Sequence, residues 1–195
     1  VWMNPYVFEP HFNASEKDIG LDAVLSDSGR IRFAEDGEKI GVGLTLYSRI
    51  ESPHGIRPFG LTMENGTPED FRHEQYLLVE EHGKRILISG CSHKGILNIM
   101  EAFRPDVLVG GFHFMKMEDE NFLRMAAQKL LAYDTTYYTG HCTGDYAYEK
   151  LKEIDTDRPE LPVAILETVQ TELKYEGYIR RQSAAVNEAK RLEKK

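Results

Sequence analysis

The sequence predicts an α/β fold, a layered sheet with helices packed on it. Three observations predict it. Apolar runs with a period of two fill the first half of the chain, around turn signals. Runs with a helical period take over after residue 93 and alternate with short apolar strands. Each of three strands in that later region ends in a glycine-containing turn that leads into a helix, the order of a layered α/β sheet.

The elements follow in chain order. Residues 1–30 are irregular, with one helical candidate at Ile19–Leu25. "RIRFAEDGEKIGVGLTLYSRI" alternates apolar and polar residues and reads as a hairpin around Asp36-Gly37. A Gly- and Pro-containing connection, Ser52–Pro68, follows. "FRHEQYLLVEEHGKRILISG" places two apolar runs on either side of His82-Gly83, a second hairpin. Lys94–Phe103 then spaces Ile96, Leu97, Ile99, Met100 and Phe103 as one helix face. "RPD" breaks it, and "VLVGG" is a short buried strand. Asp119–Tyr133 is an amphipathic helix with Phe122, Leu123, Met125, Ala126, Leu130 and Leu131 on its apolar side. "TTYYTG" reads as strand, and Asp145–Ile154 as helix.

Composition narrows the class. No run of about 18 apolar residues occurs, so no membrane span is expected. The start "VWMNPYVFEPHF" lacks the basic flank and apolar stretch of a signal peptide. Two cysteines make no disulfide framework, and a cytoplasmic location is expected. The net charge of −8 argues against a chain-wide nucleic-acid surface. The charge is uneven: residues 151–195 balance 9 basic against 9 acidic residues, so residues 1–150 carry the excess.

The three strand-end turns are Gly90-Cys91-Ser92-His93, Gly110-Gly111-Phe112-His113 and Thr139-Gly140-His141-Cys142. In open α/β sheets, ligands gather beyond the carboxyl ends of the strands. Neutral imidazole is a good donor to Zn, Fe or Mn at pH 7. A single histidine beside a strand is more often a plain loop residue; three at equivalent positions make His93, His113 and His141 candidate metal ligands. His11, His54, His73 and His82 have no such pattern. His73-Glu74 reads either as a reach toward the same face or as part of a surface ladder. A dinuclear hydrolytic site needs more ligands than three histidines, and no H-x-H-x-D-H or H-E-x-x-H occurs in the chain.

"DFRHEQYLLVEEHGKRILISGCSHKGILNIMEAFRPDVLVGGFHFMKM" and "YYTGHCTGDYAYEKLK" resemble the later part of metallo-β-lactamase-fold hydrolases. Their nearest branch is the one of dihydropterin-type ribofuranosylaminobenzene phosphate synthases. The resemblance covers residues 1–152, most densely 70–152. It implies an incomplete αββα sandwich, one half plus hairpins, with a divalent-metal centre at one edge. Zinc is the first choice, iron or manganese the alternatives. His93 and His141 would match two of the family's ligands. His113 occupies the neighbourhood in which many relatives carry a bridging aspartate. A metal-bound hydroxide would attack a small phosphoester or other ester. The family's H-x-H-x-D-H motif precedes the matched region, so the chain as given is expected to be weak or inactive, with one sheet face uncovered.

Residues 153–195 read as a helical appendage. Pro162 suits a first helical turn, and Val163, Ile165, Leu166, Val169 and Leu173 form an apolar face before a break at Gly177. "KYEGYIRRQ" resembles the carboxyl-terminal helical region of the large, flavin-binding subunit of the tRNA wobble-uridine carboxymethylaminomethyl-modifying enzyme, glucose-inhibited division protein A. That resemblance implies tRNA or partner-protein contact by Tyr175, Tyr178, Arg180 and Arg181. None of the flavin-binding domain is present, so no FAD is implied. A solvated helical tail is the plainer alternative. The meeting of two family fragments, with Val as first residue, leaves a natural fusion, a truncated frame and a chimeric, non-functional remnant open.

Overall fold

The computed structural model describes residues 1–157. The strands are β1 (Trp2–Met3), β2 (His11–Phe12), β3 (Arg32–Phe33), β4 (Glu38–Gly41), β5 (Leu44–Tyr47), β6 (Thr62–Met63), β7 (Tyr76–Glu81), β8 (Lys84–Gly90), β9 (Val107–Gly110) and β10 (Thr136–Tyr138). The helices are α1 (Ile96–Phe103), α2 (Glu120–Leu131) and α3 (Asp145–Ile154). Of the appendage expected at residues 153–195, only residues 153–157 are described, the first two of them as the end of α3; its apolar face and its four candidate contact residues lie outside the described residues.

Six strands form the central sheet in the order β10-β9-β8-β7-β5-β4. The hairpin strands β4, β5, β7 and β8 pair antiparallel, whereas β8, β9 and β10 are parallel because helices connect them. Register decides which side chains share a face. Leu78, Leu87, Leu108 and Tyr137 line up across four strands. They pack with Ile96, Ile99, Met100, Leu123, Ala126 and Leu130 from the helices into one core. Each buried aliphatic side chain there contributes about 1.5–3 kcal/mol. The next row, Ile88, Val109 and Tyr138, points the other way and is 42%, 38% and 62% exposed.

The helix ends follow their sequence. Asp119 caps α2 by accepting the Phe122 N–H at 3.0 Å. Arg104, in the left-handed conformation, ends α1 before Pro105. Leu131, assigned above to the apolar side of α2, is instead 45% exposed, because it falls at the rim of that face.

Both hairpins form, but one turns elsewhere than expected. His82-Gly83 is the tip between β7 and β8, with φ of 50° and 74°, the two positive values of a type I′ turn. The β4–β5 hairpin turns at Val42-Gly43, not at Asp36-Gly37. Gly43 has φ 67°, and a Cβ there would meet the Glu80 carbonyl oxygen at 2.3 Å, so both conformation and space demand glycine. Asp36 instead closes the far end of the hairpin, its Oδ1 accepting the Ser48 and Arg49 N–H groups at 2.8 and 2.9 Å. The helix expected at Ile19–Leu25 is also absent. A 3₁₀ turn, Ala23–Ser28, follows the Asp22 cap and stops at Gly29. It has no buried residue, so no apolar face rewards a longer helix.

Among the described residues no helix is long and apolar enough to cross a membrane.

Candidate metal centre

Parallel pairing brings the carboxyl ends of β8, β9 and β10 to one rim, and the three turns there bond to one another. The Gly111 N–H donates to the Gly90 carbonyl at 2.6 Å. The Phe112 N–H donates to Thr143 Oγ1 at 2.9 Å, and the Met115 N–H to the Cys142 carbonyl at 3.0 Å. Cys142 Sγ lies 3.4 Å from the Cys91 carbonyl oxygen. Two glycines are required by closeness rather than by φ. A Cβ at Gly110 would strike Ser89 Oγ at 2.1 Å, and one at Gly111 would strike Cys142 Sγ at 2.3 Å.

The first turn is held from an unexpected side. Glu74, just before β7, accepts the N–H groups of His93 and Lys94, the latter at 3.0 Å, and the Tyr76 hydroxyl at 2.6 Å. Burial raises its pKa, and these donors oppose that shift. This settles the reading of Glu74: it positions His93 and is no part of a surface ladder. Ser92, buried at φ 58°, shares a hydrogen bond with Ser89 across the turn, 2.9 Å between hydroxyls.

The structure brings His93 and His113 together. Their rings stand 4.1 Å apart, tilted by 42°. Phe71 flanks His93 at 4.8 Å and Phe59 flanks His113 at 4.8 Å. The Nδ1 atoms of both histidines are buried with no hydrogen-bond partner. Desolvation lowers both pKa values, that of His113 to about 4, so both rings are neutral at pH 7. His141 takes a different place. It is exposed, and its Nδ1 is 3.9 Å from Cys91 Sγ. One donor atom each of Cys91, His141 and Cys142 lies within 4.8 Å of the other two. Burial pushes the Cys142 thiol up to about 11. The His93 turn therefore meets the His141 turn through Cys91.

His113 and His141 both have positive φ, 56° and 48°. Such backbone is uncommon outside glycine and collects at functional sites. A pocket opens beside His93 and His113, bounded by Arg57, Phe59 and Phe122. The Arg57 guanidinium stacks 3.9 Å over the Phe122 ring and contacts Met117 Sδ at 3.1 Å.

His54 and His82 stand apart. His54 bonds Glu101 at 2.8 Å, and His82 sits exposed on its turn. His11 and His73 lie together beside Glu69. Reasoning from the sequence missed Glu69, Thr143 and Arg57. Glu69 is separated from His11 by 58 residues, and no local pattern marks such a pair. The signal for Thr143 was present in "GHCTG", where a hydroxyl follows the histidine by two residues.

No protein-family profile matches the chain. Two proteins of Methanocaldococcus jannaschii are similar to it. An uncharacterized protein is 36% identical over 152 residues, spanning 73% of this chain and 58% of that protein. The 7,8-dihydropterin-6-methyl-4-(β-D-ribofuranosyl)-aminobenzene-5′-phosphate synthase is 25% identical over 169 residues, 74% of this chain and 57% of the enzyme. The chain thus spans little more than half the length of these relatives. A shorter similarity joins it to the tRNA uridine 5-carboxymethylaminomethyl modification enzyme of Caldicellulosiruptor saccharolyticus, 47% identical over 51 residues, 26% of this chain and 8% of that enzyme. Among solved structures, a metal-dependent hydrolase of the β-lactamase superfamily superposes with a TM-score of 0.69 at 25% identity, covering 78% of this chain and 64% of the other. Sheet order, strand-end turns and superposition agree: the chain carries the metallo-β-lactamase fold.

Proposed function

We propose that this chain supplies the later part of the active centre of a metal-dependent hydrolase acting on a phosphoester or another ester. The observation that carries the reading is the pair of neutral histidines, His93 and His113, side by side at the sheet rim with bare, buried Nδ1 atoms. Such lone pairs fit a divalent metal. His93 and His113 would hold it, zinc in first place and iron or manganese as alternatives, and His141, which sits apart beside Cys91, would join by swinging toward them. A bound metal supplies Lewis acidity and a water activated for attack.

The chain's own residues supply the rest. Glu74 fixes the turn that carries His93. Phe59 and Phe71 wall the two imidazoles and limit water. Arg57 gives the adjoining pocket a permanent cation, which suits an anionic substrate group such as a phosphate ester. The H-x-H-x-D-H motif does not occur in these 195 residues, so weak turnover is expected of this chain by itself.

The test joins this chain to a segment bearing that motif. Hydrolysis of p-nitrophenyl phosphate or bis(p-nitrophenyl) phosphate is expected, with loss of at least 100-fold in His93→Asn. A metal-loaded joined protein with no turnover on a broad ester panel overturns the reading.

A second reading rests on the 51-residue similarity to the tRNA-modifying enzyme. In it the carboxyl-terminal residues Tyr175, Tyr178, Arg180 and Arg181 bind tRNA or a partner protein. Titration with tRNA at low and high salt tests it, because phosphate contacts weaken steeply with salt. Binding unchanged in Arg180→Ala plus Arg181→Ala removes it.

A further inference from the structure

A second group of ligand-type side chains lies beside Phe71 and contains none of the strand-end histidines. His11 is on β2, Glu69 follows β6, and His73 precedes β7. One donor atom from each lies within 4.8 Å of the other two. His11 is 6% exposed and Glu69 3%. The Phe71 ring stands 6.2 Å from His73 and 4.8 Å from His93, so the group adjoins the rim and shares no residue with it.

The hydrogen bonds leave nitrogen lone pairs over. Glu69 Oε2 meets His11 Nδ1 at 2.6 Å, so a neutral His11 carries its proton on Nδ1 and bares Nε2. That Nε2 is buried with no partner. His73 Nδ1 is likewise buried and unpartnered. It faces Glu69 Oε1 at 3.9 Å, too long for a hydrogen bond. Two metal bonds of about 2.1 Å at a tetrahedral angle hold nitrogen and oxygen about 3.4 Å apart, so a small side-chain rotation brings both onto one cation. The His11 and His73 rings stand 4.2 Å apart, and a cation entering between them and Glu69 displaces the proton that His11 Nδ1 shares with Glu69. The Glu69 side chain, as a carboxylate ligand, would offset half of a divalent charge. Buried polar nitrogens without partners are rare, and His73 Nδ1 facing a buried carboxylate asks for an occupant.

We propose that His11, Glu69 and His73 form a binding site for a divalent transition metal, separate from the histidines at the strand ends. Two imidazoles and one carboxylate suit zinc, iron or manganese over magnesium or calcium. His11 and Glu69 are 58 residues apart in the chain, so an ion here ties the amino-terminal segment to the loop entering β7. Binding therefore raises the stability of that segment.

The test uses the full chain, stripped of metal by a chelator and titrated with Co²⁺, read by visible absorption, with elemental analysis for stoichiometry. The background is His93→Asn plus His141→Asn, which disables the strand-end site. In that background one equivalent of Co²⁺ is expected to remain, with a rise in melting temperature on adding it. His73→Ala, at a half-buried position that tolerates truncation, is expected to weaken Co²⁺ binding at least tenfold and abolish the rise. His11→Gln is expected to do the same. The proposal is overturned if the background protein binds no Co²⁺, or if His73→Ala leaves binding and melting response unchanged. Neither result touches the hydrolase reading, which stands on His93.

Discussion

Residues 1–75 and residues 76–154 are built on different physics. The later region is a row of aligned aliphatic side chains under three helices, Leu78, Leu87 and Leu108 at its centre. The earlier region has strands of two to four residues and long connections. Its order comes from carboxylates and amides that grip backbone: Asp18 on Gly20, Asp22 on Val24, Asp36 on Ser48 and Arg49, Glu69 on Phe71. The later region is expected to respond most to lost core volume, the earlier one most to lost side-chain acceptors.

Three changes probe that contrast. Leu108→Ala, fully buried between β8 and β10, is expected to cost about 2–5 kcal/mol through lost burial and a residual cavity. Chemical denaturation should show it as a lower midpoint with cooperative loss of the whole sheet. Glu69→Ala, measured in chelator-treated protein, removes acceptors from His11 and from the Phe71 N–H. About 1–3 kcal/mol is expected. Amide exchange should quicken around residues 9–20 and 60–73 and stay slow in β7–β9. Equal quickening in both regions would break the distinction.

The smallest effect lies where β8 and β9 begin. Asp106 Oδ1 accepts from Lys84 Nζ and Oδ2 from the Arg85 N–H, both at 2.8 Å. These bonds hold its carboxyl below the usual aspartate value. A lowered folded pKa means that the unfolded chain binds the proton more readily. The contribution is therefore whole above the ordinary pKa near 4 and is lost as pH falls through the lower folded value. Asp106→Asn should lower stability at neutral pH by this small contribution and flatten the acid limb of the stability curve, the two proteins converging in acid.

The later region was legible because its signals are periodic. Leu87 and Leu108 sit in apolar runs, and α1, α2 and α3 have amphipathic spacing. Three histidines could be grouped because each follows a strand of one parallel set. The earlier region was not legible in the same way. Val42 looked like one more strand residue, yet it is the fully exposed tip of a turn fixed by the fit of Gly43 against Glu80. The embrace of His11 by Glu69 depends on a distant pairing of β2 with β6 that no local pattern announces. Glu74 was visible as a residue beside His73, but its hold on the His93 turn appears only once β7 and β8 are paired.

The positive φ of His113 and His141 governs how their chemistry can be dissected. A threonine or valine there would add a clash between Cβ branches and main chain, and its failure would be misread as loss of a ligand. Asparagine visits that left-handed basin readily and brings no imidazole. Paired asparagine and threonine replacements at each site thus act as an internal control, parting the demand for a donor atom from the demand for a permitted dihedral.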